Sequence, residues 1–484
     1  MAENPADHAD DIERVRAALL RIAAMSCACG FDWLVLNGLP QLLLLHPDPS
    51  RRSLGEIDLL VPPGQSMAIA DIFRANGLEA VKGNGRQDDL GRRGLRSDPR
   101  TTLWDRQAAR HIHLHERRFF ADSKVAPLLA RHPPRRSRSP DDICAEPVGA
   151  EMALDILLRG SARQWRKRGA LLDLAAVLGL LDRAQQVALL HAAAAAAFAP
   201  GALASLIALR TAMGIEPPAG PLRTWLDQAE IVPEVAVRAS IYAEAIAAHG
   251  PAEPTDAPHK PAIGRPRPWQ RIAGRMARVI RRPRQFTRDP ATRMDRYPLA
   301  FRFAQHWLRN RDQVRILSFG CSSGEEVLSL RSYFPDAAIK GIDVDRRRIA
   351  AARALIADRP GIALEVAGTA AGEPAGSYDA VFCMAVLRDA ALDSPRTRAA
   401  AGLLTFAAFA AEIAALVRCL KPGGLLFVAH SNFRVADTDA AGQLELVLHA
   451  DPPGSGLTPG LYDRTGSRLD NEVDRSLAFV KLAQ

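Results

Sequence analysis

The chain has 484 residues, 48% hydrophobic and 24% charged, with 34 Gly and 34 Pro; this is too long for one hydrophobic core and too ordinary for a collagen-like, wholly disordered or disulfide-stapled protein. Its six cysteines, at 27, 29, 144, 321, 383 and 419, form no CxxC pair and no metal-ligand spacing, and the acidic opening Met1 to Glu13 is unlike a signal peptide, so the expected location is a reducing cytoplasm. The formal charge of +9 resides in one segment: Lys260 to Asp289 holds ten Lys/Arg against one acid, and the remainder balances at 53 of each sign.

Residues 10 to about 130 mix helix and strand signals. Asp10 to Met25 is predicted helical, Trp33 to Leu36 and Ile57 to Val61 are short apolar strands, and Ser66 to Ala75 is another helix. A polar, Arg- and Asp-rich loop is expected between about 85 and 110. The Pro/Arg/Ser run His132 to Asp142 then leads into a helical part, about 145 to 250, with helices at Ala150 to Leu158, Arg168 to Leu181, Ala184 to Ala199, Ala202 to Met213 and Val235 to His249. Ala184 to Leu209 contains no Asp, Glu, Lys or Arg. It is Ala-dominated, carries His191 and is broken by Pro200-Gly201, so it reads as two buried helices and no transmembrane segment is expected. Pro251 to Pro268 holds six prolines in 18 residues, and residues 251–291 form a Pro-rich and basic linker between domains 1–250 and 292–484.

Beyond the linker strands and helices alternate: Val314 to Phe319, Ala338 to Ile342, Ile362 to Val366, Tyr378 to Met384 and Leu425 to Ala429 as strands, with helices at Glu325 to Tyr333, Arg346 to Ala357 and Phe406 to Leu420. Alternation of this kind specifies an α/β fold, a parallel sheet with helices on both faces whose ligands sit at the carboxyl ends of the strands. The first strand ends in Ser318-Phe319-Gly320-Cys321-Ser322-Ser323-Gly324. Small residues at 318, 320, 322 and 324 let the strand turn sharply into a helix, and Asp343 ends the next strand where a carboxylate can accept both ribose hydroxyl protons. The pattern is not the GxGxxG of dinucleotide enzymes, since Gly320 and Gly324 are four apart and Ser322 stands between them.

On these residues the stretch 292–484 resembles the class I S-adenosylmethionine-dependent methyltransferases, through ILSFGCSSGEE, GIDVDRRRIAAAR, SYDAVFCMAVL and LKPGGLLFVAHSN in order; the GCSSGEE form is most similar to the chemotaxis-receptor branch. The resemblance implies a Rossmann-like sheet and S-adenosylmethionine as cofactor. It implies Ser318, Gly320, Ser322 and Gly324 at the methionine end, Asp343 at the ribose, and Met384 at the mouth of the site. Ala367-Gly368-Thr369 lacks the acid that many relatives place near the adenine. Methyl transfer needs positioning more than covalent help, so no general base is assigned. His430 and Asn432, past the last strand, are the candidates for contacts to an acceptor whose identity the sequence does not give, and a hydrogen-bonded structural role for His430 stays open.

In the first domain Glu56 and Asp58 share one face of a strand and could hold a divalent metal, or line a solvated strand edge. With Asn37-Gly38 upstream, LVLNGLPQLLLLHPDPSRRSLGEIDLLV and EMALDILLRGSARQWRKRGALLDLAAVL resemble an uncharacterised nucleotidyltransferase family of α+β fold. That resemblance implies Gly38 and Arg52 at a nucleotide, and Mg²⁺ with a nucleoside triphosphate at Glu56 and Asp58. Asn37 stands where the family has lysine, Glu56 replaces an aspartate, and His113 takes the place of a third carboxylate. Glu116 is nearby, but an offset of three puts it on the other face of a strand. An active transferase and a degenerate binding or assembly module are both open, as is a protein that binds nucleotides without turnover. In the linker, Trp269, Ile272, Met276, Val279 and Ile280 recur at helical spacing among arginines, a pattern suited to a polyanion (RNA, DNA or an anionic membrane surface) or to docking on its own domain.

Overall fold

The computed structural model describes residues 5–36, 56–80, 102–116, 128, 132–162, 165, 168–248, 292–357, 359–394, 396–451, 459–470 and 472–483. Gly38, Arg52 and the whole linker 251–291 lie outside them. The chain divides into two compact units, Met1–Gly250 with Asp451–Leu457, and Pro251–Ala450 with Thr458–Gln484.

In the first unit the elements run α1 (Pro5–Cys29), β1 (Leu34–Leu36), β2 (Ile57–Leu60), α2 (Ser66–Ala75), β3 (Glu79–Ala80), β4 (Thr102–Asp105) and β5 (Arg110–His115). Among the described residues these strands form one sheet in the order β1-β2-β5-β4-β3, with β2 and β5 parallel and the other pairs antiparallel. The two-residue side-chain period then divides the faces. Ile57 and Leu59, with Ile112 and Leu114, pack against Val15, Leu19 and Ile22 of α1 and Ile69 and Phe73 of α2. The opposite face therefore receives Glu56, Asp58, His111, His113 and His115. Part of the expected loop 85–110 is strand β4, whose Leu103 is wholly buried. The run after His132 pairs with the sheet's edge, because Trp33 and Arg135 exchange both backbone bonds and Trp33 Nε1 donates to Ser137 Oγ at 2.9 Å. Arg135 grips Asp142 at 2.6 and 2.8 Å and holds that carboxyl down to about 2.

Helices α3 (Ala150–Ala162), α4 (Arg168–Leu180), α5 (Arg183–Ala195), α6 (Ala199–Met213), α7 (Pro221–Gln228) and α8 (Pro233–Ala247) follow. The break expected at Pro200-Gly201 falls instead at residues 196–198, between α5 and α6. Pro200 sits in the first turn of α6, where its missing N–H costs nothing, and Gly214 ends that helix at φ +65°. No helix among the described residues is long and apolar enough to cross a membrane.

The second unit contains α9 (Pro298–Trp307), β6 (Arg315–Phe319), α10 (Glu325–Tyr333), β7 (Ala338–Asp343), α11 (Arg346–Ile356), β8 (Ile362–Val366), β9 (Tyr378–Met384), α12 (Phe406–Cys419), β10 (Leu420–Ala429), β11 (Leu444–His449), β12 (Leu461–Tyr462), β13 (Arg468–Leu469) and β14 (Ser476–Lys481). Its seven-stranded sheet has the order β11-β14-β10-β9-β6-β7-β8. All neighbouring pairs from β8 to β10 are parallel, and β14 runs antiparallel between β10 and β11. The chain leaves β6 toward one edge and returns through β9 toward the other, which opens a crevice at the carboxyl ends of β6 and β9.

Both sheet faces are covered. Leu317, Val381, Cys383, Leu426 and Val428 meet Phe409, Ile413 and Leu416 of α12. On the other face Phe382 and Phe427 stack with ring centres 4.5 Å apart, and Phe301 of α9 meets Phe382 edge-on at 5.5 Å. At the amino end of the strands, buried Asp379 accepts from Lys421 Nζ at 2.8 Å, Arg315 N at 2.9 Å and Arg311 Nη1 at 2.9 Å. Burial alone would raise that carboxyl, but these donors outweigh it and hold it below its usual value. Phe382→Ala, which empties the aromatic stack, should cost about 3–5 kcal/mol in urea unfolding, whereas the exposed Leu403→Ala should stay within about 0.5 kcal/mol.

Candidate functional site

The loops at the carboxyl ends of β6, β7, β9 and β10 border the crevice. After β6 the backbone turns through Gly320 at φ +76°, Ser322 at φ +51° and Gly324 at φ +96° into α10. A Cβ on Gly320 would stand 2.5 Å from a Val386 methyl, so this position has neither the conformational nor the steric room for a side chain. Gly320 N and Cys321 N both donate to Ile342 O, at 2.8 and 3.0 Å. Asp343, at the end of β7, accepts from Ser322 N at 3.0 Å and from Asp345 N at 2.8 Å. One carboxylate thus ties the glycine turn to the loop after β7, and the second lone pair of each oxygen remains for a ligand hydroxyl.

Ser318 is buried, and its hydroxyl donates to Glu326 Oε1 at 2.7 Å. Sequence reasoning missed Glu326, although two consecutive acids at a helix start are a visible signal. Its carboxyl is crowded by protein, which pushes it up to about 7, the Ser318 bond and the charge of Arg296 opposing. Tyr297, just ahead of α9, lies across the crevice with its hydroxyl pushed up to about 12 by the same crowding. Its ring centre is 6.0 Å from that of His430. His430 is open to solvent on one side, yet desolvation by the crevice walls, then the charges of Arg296 and Arg388, hold it down to about 4, so the imidazole is neutral at pH 7. His430 (φ +55°) and Ala385 (φ +61°) share with Ser322 a backbone region unusual for non-glycine residues. Strain of this kind concentrates where loops are held for a purpose.

The other expected residues are also placed. Met384 ends β9, nearly buried, and pairs in register with Ala429. Asn432 is fully buried: its Nδ2 donates to Gly460 O at 2.9 Å and Asp393 Oδ1 at 3.3 Å, and its Oδ1 accepts from Asp389 N at 2.7 Å. Its amide therefore fastens the loops after β9 and β10 to the segment at Gly460. At Ala367-Gly368-Thr369 no acid is present in sequence, but Glu412 reaches in from α12 and accepts from Ala370 N at 2.7 Å. Burial pushes the thiols of Cys321, Cys383 and Cys419 up, which keeps them protonated and unsuited to nucleophilic work.

On the first unit's sheet, Asp58 pairs in register with His113. Glu56 Oε2 lies 3.2 Å from His113 Nε2, and Asp58 Oδ1 lies 2.8 Å from His115 Nε2. Thr102 Oγ1 contacts His113 Nδ1 at 3.1 Å. Glu116 lies just past β5, not within the strand, and its carboxylate accepts from Ser66 N at 3.1 Å and Ser66 Oγ at 2.6 Å, securing the start of α2. Among the described residues no group of three or more His, Cys, Asp or Glu is arranged to hold a metal ion.

Residues 317–428 match the family described as "Methyltransferase domain". No curated protein matches the chain. Solved structures similar to it include an S-adenosylmethionine-bound amino pentose methyltransferase of Micromonospora echinaspora involved in calicheamicin biosynthesis, at 22% identity over 35% of this chain and 58% of that one, with a TM-score of 0.22. Another is an S-adenosylmethionine-dependent methyltransferase from Mesorhizobium loti, at 21% identity over 26% of this chain and 50% of that one, with a TM-score of 0.19. The chain spans about half the length of the solved structures it matches. The stretch 317–428 that matches the methyltransferase-domain family lies within the second unit and runs from β6 to β10 of its seven-stranded sheet.

Glu326 gives this crevice a pH signature. The folded chain keeps the Glu326 proton up to about 7, whereas the unfolded chain releases it near the ordinary 4.5. Folding stability contributed here therefore falls as pH rises from about 4.5 through about 7. Glu326→Gln should raise the unfolding midpoint of the ligand-free protein at pH 8 and leave it nearly unchanged at pH 4, measured by differential scanning calorimetry.

Proposed function

We propose that the second unit binds S-adenosylmethionine in the crevice at the ends of β6, β7 and β9 and transfers its methyl group to an acceptor entering between Tyr297 and His430. The observation that carries this reading is the Asp343 carboxylate, which accepts one backbone amide on each oxygen, from the glycine turn and from the loop after β7, and so leaves each oxygen a second lone pair. The fit is supported by Gly320, where a side chain would fill the space the turn leaves beside Val386.

In this reading Asp343 accepts the ribose hydroxyls, and Ser318, Gly320, Ser322 and Gly324 form the floor under the methionine end. Glu326 takes the α-ammonium, which restores its ionised form, and Arg296 faces the carboxylate. With Glu412 bonded to the backbone at Ala370, adenine recognition falls to backbone amides after β8. The cofactor supplies a methyl carbon on a sulfonium, which reacts in line with a nucleophile. The chain's own part is to orient the partners and exclude water, and neutral His430 can accept a hydrogen bond from the acceptor's X–H group without adding charge. Asp343→Ala removes a charge-assisted acceptor and should weaken S-adenosylmethionine binding by about 1.5–3 kcal/mol in calorimetry; equal affinity in variant and parent would remove the ribose assignment.

For the first unit we propose a binding or assembly role in place of nucleotidyl transfer. The support is that Glu56 and Asp58 each face a histidine and that the position expected to supply a third acid is His113. The full chain incubated with Mg²⁺ or Mn²⁺ and each nucleoside triphosphate should release no pyrophosphate. Release that disappears in both Glu56→Gln and Asp58→Asn would establish the active alternative. The linker, as a polyanion-binding segment, remains part of the proposal, with steep salt dependence as its mark.

A further inference from the structure

The loops that follow β9 and β10 are zipped together. Ala385 N donates to Ala429 O at 2.8 Å, and Asn432 N donates to Leu387 O at 3.3 Å. Arg388 and His430 are thereby set side by side at the crevice mouth. Asp393 fixes the Arg388 guanidinium through Nη2, and is itself held by Gly460 N at 3.2 Å. Opposite them, the segment ahead of α9 presents Tyr297. That segment is pinned through Asp295, whose N–H donates to Ser329 Oγ at 2.9 Å and whose carboxylate accepts from Tyr333 at 2.8 Å.

Two polar atoms at this mouth are buried with no hydrogen-bond partner among the described residues: the Tyr297 hydroxyl and Arg388 Nε. Buried polar groups in native proteins are nearly always paired, so orphans that share one mouth point to a ligand group that completes them. Arg388 Nε can only donate, and the Tyr297 hydroxyl can donate too. Their common complement is an acceptor oxygen, and the guanidinium makes an anionic oxygen the better complement. A neutral, apolar acceptor would leave both donors unpaired in a dehydrated site. Glu326, the nearby carboxyl, is bonded to Ser318 on the glycine-turn side, and Arg296 acts on it there.

We infer that the methyl acceptor carries an oxyanion, a carboxylate or a phosphate, seated on the Tyr297 hydroxyl and Arg388 Nε with His430 alongside. This rests on the methyl-transfer reading above and adds the chemical class of the acceptor to it. Arg388 and Tyr297 then act as binding groups, holding the acceptor's anionic end while its nucleophile meets the methyl carbon.

The test uses the full chain saturated with S-adenosylhomocysteine, with ¹³C-labelled histidine rings and the His430 signal identified by its loss in His430→Asn. Inorganic phosphate and acetate are titrated at constant ionic strength, with acetamide as the neutral counterpart of acetate. At least one oxyanion should shift the His430 signal saturably while acetamide leaves it in place. Arg388→Gln should weaken that response by about tenfold and Tyr297→Phe by about threefold, the loss of one hydrogen bond each, without changing S-adenosylhomocysteine affinity. Should Arg388→Gln fail to fold, Tyr297→Phe, which removes only the unpaired hydroxyl, decides. The inference is overturned by no saturable shift, by an equal response to acetamide, or by variants that respond like the parent. It is also overturned if the oxyanions act only without S-adenosylhomocysteine and compete with it, since the subsite then belongs to the cofactor's own carboxylate. A chain that does not bind S-adenosylhomocysteine at all overturns the methyl-transfer reading itself, a separately visible failure.

Discussion

The crevice of the second unit depends on one carboxylate. Asp343 receives the amides of Ser322 and Asp345, and so makes the end of β6 and the end of β7 a single rigid edge. Without it the positive-φ turn Gly320-Cys321-Ser322 would have no partner for its last amide, and a buried unsatisfied N–H is costly in a crevice that must also stay dry. The parallel register fixes where that edge lies. Phe319 pairs with Ile342, and one residue further the two chains diverge into their loops. Packing on both sheet faces, by α12 on one side and the Phe301, Phe382 and Phe427 rings on the other, leaves the strand ends as the place where backbone groups can meet a ligand.

The same logic, applied to the first unit, gives a different outcome. Its sheet is apolar where α1 and α2 pack and polar on the opposite face, so Glu56 and Asp58 arrive together as their spacing requires. What they meet are His113 and His115 from the parallel neighbour. Imidazoles in place of a third carboxylate lower the negative charge that would attract a hard divalent cation. Glu116, the acid nearest in sequence, is committed to Ser66 at the start of α2.

Much of the second unit was legible because its signals are local. The apolar runs at β8 and β9 and the glycine turn before α10 fall at the expected residues. Strand β10 begins five residues before the expected Leu425, since Leu420 already pairs with Tyr378 ahead of an irregularity spanning Pro422-Gly423. Helix α9 escaped notice because Arg302 and His306 interrupt its apolar stripe, and its role shows only when Phe301 meets Phe382. Strand β4 was hidden in a polar stretch for a similar reason: four residues carry too short a period to read. The crevice itself was half legible. Gly320, Glu326 and Asp343 belong to one contiguous strand-turn-helix-strand pattern, whereas Tyr297, Arg388 and His430 come from three separate segments that only the sheet order brings together. Asn432 shows the converse, a polar residue at a strand end whose bonds all turn inward to the loops.

The edge held by Asp343 is where we propose that S-adenosylmethionine sits. Hydrogen–deuterium exchange of the full chain, with and without S-adenosylmethionine, tests it most directly. Binding there should give new protection confined to the turn 320–326, the loop 343–346 and the strand end 384–388, with no change in the sheet of the first unit. Protection absent from all three segments at a saturating concentration, or appearing instead along β2 and β5, would contradict it.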